Sequence, residues 1–115
     1  MQINSLTLIW LFALLSLSAG SNAASENCGG KVTMVMDHPS QCLQTSGSIT
    51  ESHAAFQIES SAGKWICSVS TFGDSLVLAA LAAGKQVSVR IDLPTQGDCS
   101  SIAHYTELEY VSVIE

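Results

Sequence analysis

The sequence predicts an all-β domain with one helix, in the order β-β-β-α-β-β. Three observations carry this. Apolar and polar residues alternate in several short runs, most cleanly over Gln86–Asp92, where Val87, Val89 and Ile91 oppose Ser88, Arg90 and Asp92. A single apolar run, Leu76–Ala83, sits between a turn signal at Gly73-Asp74-Ser75 and a glycine at 84, which is how a short helix is punctuated. Four cysteines, Cys28, Cys42, Cys67 and Cys99, are an even set suited to two disulfides in a small domain.

The chain of 115 residues is long enough for one domain. Residues 1–23 read as a cleaved signal peptide. Leu6–Leu17 is an apolar run too short to span a bilayer comfortably, and Ser21 and Ala23 are the small residues a signal peptidase wants, so cleavage is expected after Ala23. Only the α-amino group supplies positive charge before that run; a retained membrane anchor is the alternative. The mature domain would be Ala24–Glu115, with no membrane insertion after cleavage, in a secreted or periplasmic setting. It carries all 4 basic and 10 acidic residues, hence the net charge of −6. That balance argues against nucleic acid, whose binding rests on phosphate neutralisation, and against an anionic membrane surface.

In chain order, Lys31–Asp37 reads as a strand with Val32, Met34 and Met36 on one face, ended by His38-Pro39. Residues 41–52 are rich in Ser, Thr and Gly and read as a long loop suited to binding. Ala54–Glu59 is a second strand with Phe56 and Ile58 inward; residues 60–63 connect it to a third, Lys64–Ser70. Asp74 or Ser75 is expected to cap the helix, with Gly84 as its terminating residue. After the strand at 86–92, residues 94–101 form a loop holding Cys99. Thr106–Ile114 is the last strand, with a phase shift between Tyr110 and Val113 that implies a bulge or burial on both faces.

Five antiparallel strands with a helix between the third and fourth is the order of an OB-type barrel, a fold that closes on itself and so removes exposed edges. In that topology strand 1 pairs antiparallel with strand 4, which brings Cys28 to Cys99, and Cys42 falls towards Cys67. Those two pairings are the expected disulfides.

Candidate chemistry is sparse. Phe72-Gly73-Asp74-Ser75-Leu76 resembles the nucleophile block of the GDSL esterases and lipases. That family also needs a D-x-x-H pair near its C-terminus; here the residue three before His104 is Ser101. A turn and helix cap explain the tetrapeptide without catalysis, so no catalytic residue is expected, and a minimal hydrolase is the third-ranked function. His38, His53 and His104 match no zinc spacing and read as surface residues, with no metal and no cofactor expected. Glu107 and Glu109 read as a solvated stripe. The groups suited to holding a ligand are Lys64, Trp65, Thr71, Arg90 and Tyr105: flat apolar faces flanked by hydrogen-bonding groups, as in OB modules that hold oligosaccharides. The helix carries no charge between Asp74 and Lys85. Leu76, Val77, Leu78 and Leu81 cover more than one stripe, which predicts a subunit interface.

The segments Phe56-Gln57-Ile58, Trp65–Ser70 and Leu78–Arg90 resemble the B subunits of pertussis-like and subtilase-type AB5 toxins. The resemblance implies a small exported OB fold, a homo-oligomeric ring with central helices, binding of cell-surface sialylated glycans, and a catalytic A subunit as partner. Cys67 fits one position of that family's hairpin disulfide, while Gln57 stands at the other. The expected function is a non-enzymatic glycan-binding module; the alternative is a periplasmic accessory or inhibitor protein without a small ligand.

Overall fold

The computed structural model describes residues 24–93 and 98–114. The expected leader, 1–23, and residues 94–97 of the expected 94–101 loop lie outside the described residues. The elements are β1 (Ala24–Met36), β2 (Leu43–Ser46), β3 (Ile49–Ser52), β4 (Ala55–Ile58), β5 (Ile66–Cys67), helix α1 (Thr71–Ala83), β6 (Gln86–Leu93), β7 (Thr106–Glu107) and β8 (Tyr110–Ile114), with one-turn 3-10 segments at Ser40–Cys42, Glu59–Ser61 and Cys99–Ser101. The protein is mainly β with one α-helix and two disulfides.

Six strands form one sheet in the order β7-β5-β4-β1-β6-β8, and β2–β3 is a separate hairpin. All neighbours are antiparallel except β5 and β7. The expected barrel is not closed by a strand ladder, because β7 and β8, the two ends of the sheet, do not pair. They are nevertheless consecutive in the chain. In the link between them, the Leu108 N–H donates to Cys67 O at 3.1 Å and the Glu109 N–H donates to Arg90 O at 2.8 Å. The single last strand expected at 106–114 is thus two strands, broken at Leu108–Glu109. The bulge or two-sided burial expected between Tyr110 and Val113 is not found, since β8 pairs with β6 in unbroken register and is mostly exposed.

β1 is longer than the pattern at 31–37 suggested. Its first half, Ala24–Lys31, pairs with β6; its second, from Val32, pairs with β4. The hand-over falls at Gly30, whose φ of +138° is closed to ordinary side chains and whose added Cβ would lie 3.0 Å from Glu59 Cβ. The Glu59 carboxylate accepts from the Lys31 N–H at 2.6 Å, pinning the bend. Just beyond, the register slips between Val32 and Met34. That bulge corrects the expected inward face: Val32 is buried, but Met34 turns to solvent, and Val35 packs against the core instead.

Phe56 and Ile58 of β4 and Val87, Val89 and Ile91 of β6 are buried as their alternation required, joined by Ile66, Val77, Ile102 and Leu108. Each such side chain contributes about 1.5–3 kcal/mol by leaving water. The third strand shrinks to Ile66–Cys67, and residues 41–52, expected as a loop, form the β2–β3 hairpin around Gly47, which has φ +64°.

Helix α1 starts five residues earlier than expected. Ser70, in an extended conformation, is the N-cap, and its Oγ accepts from the Gly73 N–H at 2.9 Å. Neither Asp74 nor Ser75 caps the helix. Gly73 is not a strand breaker either. It is buried in the first turn, where a Cβ would sit 2.6 Å from Ser68 Oγ, so glycine lets the helix start close to the chain entering it. Gly84, at φ +65°, ends the helix with its N–H directed at the carbonyls of Ala80 and Leu81.

The disulfides are Cys28–Cys99 and Cys42–Cys67, the pairing the topology predicts. Among the described residues no helix is long and apolar enough to cross a membrane.

Candidate functional site

Three of the five residues expected to hold a ligand come together. Trp65 and Tyr105 are half-buried and pack, with Met36, against a small cluster of Cys42, Ala55 and Cys67. The Tyr105 N–H donates to Trp65 O at 2.7 Å, and Tyr105 takes the left-handed backbone, φ +63°. A non-glycine residue held there signals a conformation fixed by its surroundings. The His104 ring lies 6.0 Å from that of Tyr105, and its Nδ1 accepts from the Trp65 N–H at 3.4 Å. Lys64 extends alongside, its Nζ donating to Ile102 O at 3.3 Å. These residues form one aromatic cluster packed beside the Cys42–Cys67 bond.

Thr71 and Arg90 lie elsewhere. Thr71 opens α1 and lines a polar cleft of about 330 Å³ against the β2–β3 hairpin, with Gln44, Thr45, Glu51 and Ser70 among its neighbours. Arg90 lies on β6, its Nε 3.9 Å from the Glu109 carboxylate.

The expected interface residues of α1 divide. Val77 is fully buried and fastens the helix to the sheet, so it is no part of a contact surface. Leu81 is partly buried against the core. Leu76 lines a shallow depression with Phe72 and Tyr110, both exposed. Leu78 is 57 % exposed. The outward face of the helix is therefore Phe72, Ser75, Leu78, Ala79 and the terminal alanines, without a charge.

The tetrapeptide Gly73-Asp74-Ser75-Leu76 has a structural role not visible in the sequence. The Asp74 carboxylate accepts from the Ala54 N–H through Oδ1 at 2.9 Å and from His53 Nδ1 through Oδ2 at 2.9 Å. His38 Nε2 stands 3.6 Å from the same Oδ2, and His38 Nδ1 is bonded to Asp37. Burial alone would raise the Asp74 pKa; the hydrogen bonds from His53, Ala54 and Ser68 outweigh it and hold the carboxyl below its ordinary value. The hydrogen bond to Asp37 raises His38 above the ordinary imidazole value. His53, expected at the surface, is 4 % exposed. Three segments thus meet on one carboxylate: the end of β1, the β3–β4 junction and α1. His104 belongs to the aromatic platform instead. Among the described residues no group of three His, Cys, Asp or Glu side chains converges as metal ligands.

Beside this knot runs a groove of about 450 Å³. Val35, Ala54, Leu78 and Leu81 line it on the apolar side, Asp37, His38, Thr71, Asp74 and Ser75 on the polar side. Ser75 faces the groove, but its hydroxyl donates to Thr71 O at 3.2 Å, the back-bond of a serine inside a helix. Asp37 and His38 are adjacent in the sequence, but nothing there connects them with His53 or Asp74 until the chain is folded.

No protein-family model matches the chain, and neither the characterised proteins nor the solved structures contain a significant match.

Proposed function

We propose that the protein is an exported, non-enzymatic binding module that presents a glycan platform on an OB-like closed sheet. The observation that carries this reading is the Trp65–Tyr105 pair, half-exposed, fixed by a main-chain hydrogen bond and backed by a disulfide. Rigid aromatic faces bind sugar rings at low entropic cost, and Lys64 and His104 stand beside them to supply hydrogen bonds. Barrel closure is inferred from the Leu108–Glu109 link, whose two N–H groups reach opposite ends of the sheet order. With β7 and β8 taken as one interrupted strand, the connectivity is that of an OB fold, in keeping with the resemblance to AB5 toxin B subunits. Two disulfides suit an oxidising compartment, secreted or periplasmic. The charge-free outer face of α1 supports a homo-oligomer, and the toxin-like reading adds a catalytic subunit as partner. The non-enzymatic reading is supported by Ser75, whose hydroxyl is turned to its own helix, and by Asp74, which is occupied by His53 and Ala54.

A glycan array probed with residues 24–115 and with Trp65→Ala tests this. Binding to a defined glycan set, abolished by Trp65→Ala with an unchanged far-UV spectrum, is the expected result. Silence across sialylated and neutral glycans would favour an accessory protein without a small ligand. Light scattering tests the oligomer, and a monomer would remove the ring.

A further inference from the structure

The groove beside the Asp74 knot shares no lining residue with the aromatic platform. Its chemistry is also different. One side is aliphatic, Val35, Leu78 and Leu81. The other carries two carboxylates, Asp37 and Asp74, with the His38 imidazole between them. None of the basic residues Lys31, Lys64, Lys85 and Arg90 lines it, in a chain of net charge −6.

From this arrangement we infer that the groove is a second binding site, for a primary ammonium on a short aliphatic chain, with the ammonium at the acidic rim beside the His38 ring, within the field of Asp37 and Asp74, and the chain along Leu78 and Leu81. Charge complementarity selects the head group, since the rim offers acceptors and negative charge. The walls select the tail, since Leu78 is left 57 % exposed one turn beyond Asp74, the one charged residue of the helix. A carboxylate ligand would meet Asp37 and Asp74 with like charge. A neutral alcohol would bury the same tail without the ionic contribution.

His38 supplies a regulator. Protonated, it places its own cation between the carboxylates; neutral, it leaves that charge to a ligand. The groups facing it are Asp37 from the end of β1 and Asp74 from α1. Behind Asp74 lies His53, whose Nε2 is 3.9 Å from the Glu51 carboxylate of β3. Because the hydrogen bond to Asp37 holds His38 above the ordinary imidazole value, the competing charge persists beyond the pH at which a free imidazole loses it, and is lost as pH rises further. Ammonium binding therefore strengthens as pH rises through that region.

The test is a calorimetric and amide-resonance titration of residues 24–115 with n-hexylammonium, n-hexanol and n-hexanoate at pH 5.5 and 8. Expected is hexylammonium binding in the millimolar range or better at pH 8, weaker at pH 5.5, with shifts at His38, Ala54, Ser75 and Leu78. Asp37→Asn, at a side chain 91 % exposed and so safe for folding, should weaken it about two- to fivefold. His38→Gln should flatten the pH dependence. Trp65→Ala should leave hexylammonium binding unchanged, which separates this site from the glycan platform. Absence of binding, equal binding of hexanol, shifts mapping elsewhere, or affinity that falls with rising pH would each overturn the inference.

Discussion

Two kinds of tie hold distant parts of this chain together, and they differ in what announces them. Cys28–Cys99 joins residues 71 apart and closes β1 onto the segment following β6. The Asp74 knot joins the end of β1, the β3–β4 junction and α1 through one carboxylate. The first is covalent, independent of pH, and written in a residue type with few other uses in an oxidising compartment. The second depends on ionisation and is written in residues that elsewhere on a surface would mean nothing. A covalent tie is readable before folding; an electrostatic one exists only after burial has assembled it.

The difference can be broken first at the disulfides. Replacing Cys28 and Cys99 together by serine should cost about 4.5 kcal/mol on loop-entropy grounds, and the Cys42/Cys67 pair about 3.5 kcal/mol, measured by urea unfolding. Next comes Asp74→Ala. It strands the buried His53 imidazole and the Ala54 N–H, and should cost about 1–3 kcal/mol. pH sharpens the contrast. Since Asp74 is depressed in the folded protein, the stability it contributes is present above its ordinary value of 3.8 and is lost as pH falls through the folded value. Once both are normalised at pH 7, acid unfolding followed by circular dichroism should begin at lower pH in Asp74→Asn than in the wild type, because the variant has no Asp74 ionisation to lose. The disulfide variants should keep the wild-type pH dependence.

Smaller effects test the start of α1. Ser70→Ala removes the N-cap acceptor and should cost about 1 kcal/mol. Ser75→Ala, in the motif that looks like hydrolase chemistry, removes only an exposed back-bond and should change stability by less than about 0.5 kcal/mol. A larger loss at Ser75 than at Ser70 would show that the helix begins where the sequence pattern first placed it.

What was legible followed from local pattern. β4 and β6 declare their buried faces by alternation because nothing interrupts their pairing. β1 defeats the same reasoning, because its bend at Gly30 depends on Glu59, which is 29 residues away, and a one-residue slip then sends Met34 outward. The helix start was hidden because Gly73 reads as a breaker in sequence, while in space it is the residue that clears Ser68. Trp65 and Tyr105 could be picked out as candidates by type; that they share a hydrogen bond and Lys64's company, while Thr71 and Arg90 do not, is a property of the fold. His53 gave no signal, since its burial is created by α1 docking against the β3–β4 junction.

The two disulfides are nested: Cys42–Cys67 lies wholly inside the span of Cys28–Cys99. A chain delivered N-terminus first therefore presents Cys28 and Cys42 to an oxidant while both proper partners are still to come. The earliest bond available is the wrong one. Native protein then depends on exchange of that bond, or on oxidation slow enough for β4 and β5 to arrive first. Yield in an oxidising compartment should be governed by disulfide isomerisation more than by the rate at which thiols are oxidised.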